Sequence, residues 1–219
     1  MPDSADHSDP SGSLQWPWPQ RLPAGGAPLR LAVMASGEGS NFEALVEACA
    51  QGRLQGQVVV LAVNREGCGA LGRAERLGIP CQVIDHRRQP SRQALDAALI
   101  TLFREHRVDL VVMAGWMRIV TAVLIEAFPD RLVNIHPSLL PSFRGADGVA
   151  EALAAGVTLA GCTAHLVTAD VDAGPILVQA AVPVLAGDDR QRLHARIQVQ
   201  EHRILPLAVS LAAQRLAQG

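Results

Sequence analysis

Four stretches of this sequence hold side chains able to do chemistry, and each follows a short apolar run. Ser36-Gly37-Glu38-Gly39-Ser40-Asn41 combines small residues with polar groups. Small residues let backbone N–H groups approach an anion, and the positive end of a following helix favours phosphate there. A tight turn capped by Ser40 is the plainer service of the same stretch. In Asn134-Ile135-His136-Pro137, strand alternation puts Asn134 and His136 on one side. An amide donor beside an imidazole at a strand end is equipment for stabilising an oxyanion and moving a proton; a lone strand-end histidine is more often structural. Thr168-Ala169-Asp170-Val171-Asp172-Ala173-Gly174-Pro175 is a turn with two carboxylates. Brought to His136, Asp172 would raise the imidazole pKa above its ordinary ~6.5 or fix its tautomer; left in solvent, both acids are turn caps. Met113-Ala114-Gly115-Trp116-Met117-Arg118-Ile119-Val120 suits a slot for a flat ring, with free backbone groups reading its edge. Core packing around Trp116 explains the same pattern.

Other chemistries are excluded by residue type. All 19 basic residues are Arg, and Lys and Tyr are absent. That removes a Schiff-base lysine, a Walker A lysine, a Ser-Lys dyad and a tyrosine acid. A dinucleotide fingerprint wants a third Gly where Phe42 stands and an acid where Asn64 stands, so a monophosphate is the ligand left for the first stretch. Cys49, Cys68, Cys81 and Cys162 show no CxxC spacing and read as free thiols. His165, His194, His202 and the cysteines make no metal-ligand pattern, so no metal is expected. Arg92 opens a helical segment, where surface solvation is its ordinary role. Gln198 and Glu201 lie at i and i+3 beside the apolar stripe of Leu193, Ile197 and Ile204, as a wet helix edge or as ligand contacts.

The elements that must position these residues follow from periodicity. The chain has 219 residues, 49% hydrophobic and 18% charged, with a formal net charge of −2. This fits one globular domain without an electrostatic footprint for nucleic acid or an anionic membrane. No apolar run approaches the roughly 18 residues of a membrane span, and Met1 to Pro10 lacks a signal-peptide pattern, so a cytoplasmic protein is expected. Residues 1–27, rich in Pro, Ser, Gly and Asp, read as a disordered arm, and residues 28–219 as the folded domain that carries the four stretches. Leu31 to Met34, Val58 to Val63, Gln82 to Ile84, Leu110 to Met113 and Leu132 to Ile135 read as buried strands. They alternate with helical segments at Asn41 to Ala50, Ala70 to Leu77, Arg92 to His106 and Thr121 to Phe128. The alternation predicts an α/β fold with a doubly wound, mostly parallel sheet. Longer strands at Thr163 to Thr168 and Ile176 to Val184 follow, then a terminal helix from about Asp188 that Pro206 should kink or break. In an open parallel sheet ligands collect beyond the carboxyl ends of the strands, where the four stretches fall.

Together the stretches carry a resemblance. SGEGSN (Ser36 to Asn41), AGWMRI (Ala114 to Ile119), NIHPSLLP (Asn134 to Pro141), VDAGP (Val171 to Pro175) and QVQEH (Gln198 to His202) resemble the phosphoribosylglycinamide formyltransferase family, over about residues 29–210 and in order. The resemblance implies a Rossmann-like formyltransferase fold and transfer of the formyl group of 10-formyltetrahydrofolate to the amine of glycinamide ribonucleotide in purine biosynthesis. It implies that Gly39, Ser40 and Asn41 hold the acceptor phosphate, and that Gln198, Val199, Gln200 and Glu201 contact its ribose and glycinamide end. Arg92, Met117, Arg118, Ile119, Val120, Asn134, Thr168, Ala169, Asp170, Val171 and Asp172 would bind the folate. Asn134 and His136 would stabilise the tetrahedral intermediate, with Asp172 assisting proton transfer. The partners implied are small molecules, the folate serves as co-substrate, and the chain is a monomer or homodimer.

One position departs from the family pattern: Asp147 stands where many relatives have a histidine. Two other activities fit less of the chain. Formyltetrahydrofolate hydrolases carry an added N-terminal domain that residues 1–27 are too short to form, and transfer to initiator tRNA wants a C-terminal domain and a basic face. A non-catalytic nucleotide-binding regulator would have no use for Asn134, His136 and Asp172 together.

Overall fold

In the computed structural model, which describes residues 14–16 and 27–218, one sheet holds eight strands. They are β1 (Leu14–Trp16), β2 (Leu29–Ala35), β3 (Gly56–Val63), β4 (Cys81–Val83), β5 (Leu110–Met113), β6 (Leu132–His136), β7 (Leu159–Leu166) and β8 (Ile176–Pro183). Their order is β1-β8-β7-β6-β5-β2-β3-β4. Pairs within β2 to β6 are parallel, and β6 with β7, β7 with β8 and β1 with β8 are antiparallel. The helices are α1 (Ser40–Ala50), α2 (Gly69–Leu77), α3 (Arg92–Glu105), α4 (Ala122–Ala127), α5 (Gly148–Ala154) and α6 (Arg190–Gln218).

Strand alternation sorts the core into two layers. Leu31, Val33, Leu110 and Val112 face one side, against Phe42 and Leu45 of α1, Val149 of α5, and Leu193, Ile197, Ile204 and Val209 of α6. Ala32, Met34, Val111 and Met113 face the other, against Leu95, Leu99 and Phe103 of α3 and Leu124 of α4. The chain leaves β2 toward β3 on one side and later returns to β5 on the other. The sheet therefore has its topological switch between β2 and β5, and the loops after these two strands open a crevice there.

The structure corrects several expected boundaries. β7 begins at Leu159 rather than Thr163 and ends at Leu166 rather than Thr168. Its first residues, exposed Leu159 and small Ala160 and Gly161, carry little apolar signal and are held by pairing with β8. Gly161 is needed there, because a Cβ would overlap the Ala180 carbonyl of that neighbour. The last helix starts at Arg190, since Asp189 accepts the Arg192 N–H at 2.8 Å and caps it. Asp188 instead pairs with Arg196 at 2.7 Å and accepts the Leu185 N–H. Pro206 does not break α6: it loses one backbone bond but is itself buried, among Ile204, Leu205, Ala208 and Val209. The short helix α5 was not expected from periodicity.

Of the arm expected over residues 1–27, Leu14–Trp16 forms a strand against Ala181 to Gln179 of β8, where no regular structure is expected. The rest of that stretch to residue 26 lies outside the described residues. No helix among the described residues is long and apolar enough to cross a membrane.

Candidate active site

The crevice is a cavity of about 710 Å³ into which all four stretches project. At one end lies the loop between β2 and α1. Gly39 sits at the α1 N-cap with φ 76°, and a Cβ would come within 2.8 Å of Ala70 Cα, so glycine lets this loop rest on α2. The N-cap is thus Gly39, and Ser40 is the first helical residue, its hydroxyl accepting from Gln198 Nε2 at 2.9 Å. Asn41 Nδ2 donates to Glu201 Oε2 at 2.9 Å, while Asn41 Oδ1 is buried with no protein donor. Burial pushes the Glu201 carboxyl above the ordinary carboxylate range, against the opposing pull of the Asn41 bond and of charge on His194 and His136.

The centre is built on β6. Asn134 and His136 emerge on one face, two residues apart, and Asp172 reaches them from the turn between β7 and β8. Asn134 Nδ2 lies 3.3 Å from Asp172 Oδ1, and His136 Nδ1 lies 3.5 Å from Asp172 Oδ2. His136 Nε2 is 2.9 Å from the Phe143 carbonyl oxygen. A carbonyl only accepts, so Nε2 carries a proton and Nδ1 is the nitrogen that faces the carboxylate. The Gly145 N–H donates to Asp172 Oδ2 at 3.0 Å. Burial disfavours the Asp172 charge, but bonding with His165 and Gly145 and positive charge on His136 and His165 outweigh it, so the carboxyl sits below its ordinary range.

His165 belongs to this cluster and was missed as a site residue. It lies opposite Asn134 in the antiparallel β6–β7 register, so the two side chains share a face. His165 Nδ1 contacts its neighbour's carbonyl, Leu166 O, at 2.8 Å, which leaves Nε2 toward Asn134 Nδ2 at 3.2 Å and Asp172 Oδ1 at 3.6 Å. Only the cross-strand register reveals this, and no local pattern in the sequence does. Arg65, Arg190 and His194 also line the cavity without a local signature. Asp147 caps α5 through Ala150 N–H and pairs with Arg190 Nε at 3.0 Å, which holds its carboxyl below the ordinary range against slight desolvation. Among the described residues the polar contacts to Asp172 come from Asn134, His136, Gly145 and His165, and Asp147 is engaged elsewhere.

The loop of Gly115 to Val120 and the segment Thr168 to Asp172 also line the cavity. Trp116 and Val120 are buried and pack on the α3 side of the sheet, whereas Met117 and Ile119 are 64% and 52% exposed at the opening. Arg92, Val199 and Gln200 do not line the cavity. Arg92 is exposed at the start of α3. A helix turns 100° per residue, so Gln198 and Glu201 share the cavity face while Val199 points to solvent and Gln200 into the protein. No group of three or more His, Cys, Asp or Glu placed to hold a metal occurs among the described residues.

The turn that delivers Asp172 has little slack. Asp172 has φ 50°, and Gly174 lies so close to β7 that a Cβ would overlap the Leu166 carbonyl oxygen. Gly174→Ala should therefore destabilise the protein by about 1–3 kcal/mol, the usual range for overpacking. In a domain of this size that corresponds to a Tm lower by roughly 2–12 °C in a thermal melt. An unchanged Tm would show that the turn has room to move.

A model of the formyl transferase family matches residues 29–209. The chain belongs to the formyl transferase family. Among its relatives, the phosphoribosylglycinamide formyltransferase of Mycobacterium tuberculosis is 46% identical over 195 residues, 89% of each chain. That of Escherichia coli is 38% identical over 182 residues, 83% of this chain and 86% of the relative. The human trifunctional purine biosynthetic protein adenosine-3 is 41% identical over 184 residues, and this formyl transferase chain matches 18% of its length. The crystal structure of glycinamide ribonucleotide transformylase 1 from Symbiobacterium toebii superposes with a TM-score of 0.85 at 46% identity, covering 87% of this chain and 91% of that one.

Proposed function

We propose that this formyl transferase moves the formyl group of 10-formyltetrahydrofolate to the primary amine of glycinamide ribonucleotide, a step of purine biosynthesis. The observation that carries this reading is the meeting of Asn134, His136 and Asp172 in one cavity with an anion cradle at the α1 N-terminus. The N–H groups of Gly39, Ser40 and Asn41 bind the acceptor phosphate, where the helix dipole favours its charge. Glu201 and the unpaired Asn41 Oδ1 are acceptors suited to ribose hydroxyls. The folate lies between Met117 to Val120 and Thr168 to Asp172, with the formyl carbon directed at Asn134 and His136.

Catalysis follows from these positions. The amine attacks the formyl carbon, and the carbonyl electrons move onto oxygen. Asn134 Nδ2 and the His136 imidazole donate to that oxyanion in place of their partners in the free protein. The amine then gives up a proton, the bond to the folate nitrogen breaks, and that nitrogen receives a proton, so no charge or atom is left over. Asp172 stabilises the protonated imidazole and assists the proton's passage.

The test is an assay of the purified full chain with 10-formyltetrahydrofolate, with and without glycinamide ribonucleotide. Formyl loss that requires the ribonucleotide is the expected result. Equal loss without it indicates hydrolysis, and no loss with either indicates a binding protein; each overturns the transferase.

A further inference from the structure

We propose that Ser36 and Asp96, which lie outside the reacting centre, are positioning residues that pin the two ends of the folate-facing loop and so set the affinity for the formyl donor. This rests on the reading of Met117 to Val120 as the folate wall.

The loop between β5 and α4 must present backbone groups to a flat ring, and it has no regular structure of its own to fix them. Its first end is tied to the phosphate loop. The Ser36 N–H donates to the Gly115 carbonyl at 3.0 Å, and Ser36 Oγ accepts the Met117 N–H at 2.9 Å. Ser36 is 3% exposed. Its other end is tied to α3. Asp96 Oδ2 accepts the Thr121 N–H at 2.6 Å and the Thr121 hydroxyl at 2.7 Å, just before α4 begins. Between the two ties stand Met117, Arg118 and Ile119, all exposed.

The cost of Asp96 argues that its role is geometric. It is 1% exposed, no cation pairs with it among the described residues, and both of its bonds go to one loop residue. A buried carboxylate without a counter-ion is expensive, and an apolar residue would pack at that point of α3 more cheaply. What an apolar residue cannot do is hold the Thr121 N–H and hydroxyl together, which fixes where the loop ends. Ser36 likewise leaves the Met117 N–H in one direction only, and because it belongs to the phosphate loop it ties the two substrate walls to each other.

The experiment is steady-state kinetics with both substrates on Ser36→Ala, Asp96→Ala and Asp96→Asn, alongside limited trypsin digestion read by mass spectrometry. Trypsin is apt because the chain has no Lys and cuts fall only at Arg, including exposed Arg118 within the loop. Ser36→Ala should raise KM for 10-formyltetrahydrofolate about tenfold, the factor that corresponds to one lost hydrogen bond of about 1.4 kcal/mol, and Asp96→Ala, which loses two, at least as much. In Asp96→Ala, KM for the ribonucleotide and kcat should change less than about threefold; in Ser36→Ala, whose residue belongs to the phosphate loop, KM for the ribonucleotide should rise less than KM for the donor; and cleavage after Arg118 should quicken in both. Asp96→Asn keeps an acceptor oxygen for Thr121 and should recover most of the donor affinity. An unchanged donor KM in both alanine variants overturns the inference, and so does an equal rise in both KM values, which marks a general loss of structure. Should Asp96→Ala fail to fold, Thr121→Val removes the hydroxyl bond to Asp96, together with that hydroxyl's 3.3 Å acceptance of the Val123 N–H at the start of α4, and carries the same comparison. If the wild-type protein transfers no formyl group, the functional reading has failed instead, and faster cleavage after Arg118 in the variants still tests the ties.

Discussion

Asn134→Ala is expected to lower kcat by about two to three orders of magnitude while leaving the fold intact, the effect measured elsewhere when one oxyanion donor is removed. Asn134 lies on β6 between buried Val133 and Ile135, and its side chain faces the cavity rather than the core, so alanine creates no void within either layer. The donor it removes matters most when the formyl oxygen carries charge, and so the loss falls on kcat more than on the KM of either substrate. The change also strips a contact from Asp172 and from His165 Nε2. Asn134→Asp is the control: it keeps the size, adds an anion facing Asp172, and should be no better than alanine. Turnover within tenfold of the wild type in Asn134→Ala, by assay of purified protein with a matching thermal melt, would remove this amide from the reacting centre.

How much of this arrangement was legible beforehand differs by element. β5 matches its expected limits and β3 falls within two residues of its own, because strands buried on both faces read as apolar runs; β6 extends one residue beyond its expected end, since Leu132, Val133 and Ile135 carry the apolar signal around the polar Asn134 and the strand closes on His136. β7 extends past its expected start because pairing with β8, not side-chain apolarity, holds Ala160 and Gly161 in the strand. The seven-residue α5 begins at a glycine and is fixed by its Asp147 cap, which leaves no helical period long enough to read. At the site, the pairing of Asn134 with His136 follows from alternation alone. Their meeting with Asp172 is set by the β7–β8 turn, and that of Asn134 with His165 by antiparallel register, neither of which leaves a local trace. Gln198 and Glu201 share a helix face that the i, i+3 spacing shows, but which face meets the α1 loop is decided by how α6 docks.

Asp172→Asn gives the other large effect, and its dependence on pH separates it from the first. Asp172 places charge 3.5 Å from His136 Nδ1, and asparagine keeps the size while removing that charge. A general acid–base contribution is typically worth about 10²–10⁴ in rate, and kcat should fall within that range. The pH–rate profile should also be displaced, because the imidazole and the carboxylate act as one unit; slowing with an unmoved profile would mean that they act apart. Stability supplies a second readout with a definite sign. Asp172 has a folded-state carboxyl below the ordinary range, through its bonding with His165 and Gly145 and the charges of His136 and His165, despite burial. A depressed folded value means that the unfolded chain binds its proton first as pH falls. The carboxylate's stabilisation is therefore fully present above the ordinary value of ~3.9 and is lost progressively as pH drops through it toward the folded value. Urea unfolding should accordingly show the wild-type protein losing its advantage over Asp172→Asn between about pH 5 and the acid limit of the experiment, with a constant gap from there to neutrality. A gap that instead widened on acidification would require a carboxyl held neutral in the folded protein, and with it a proton donor rather than an anion beside His136.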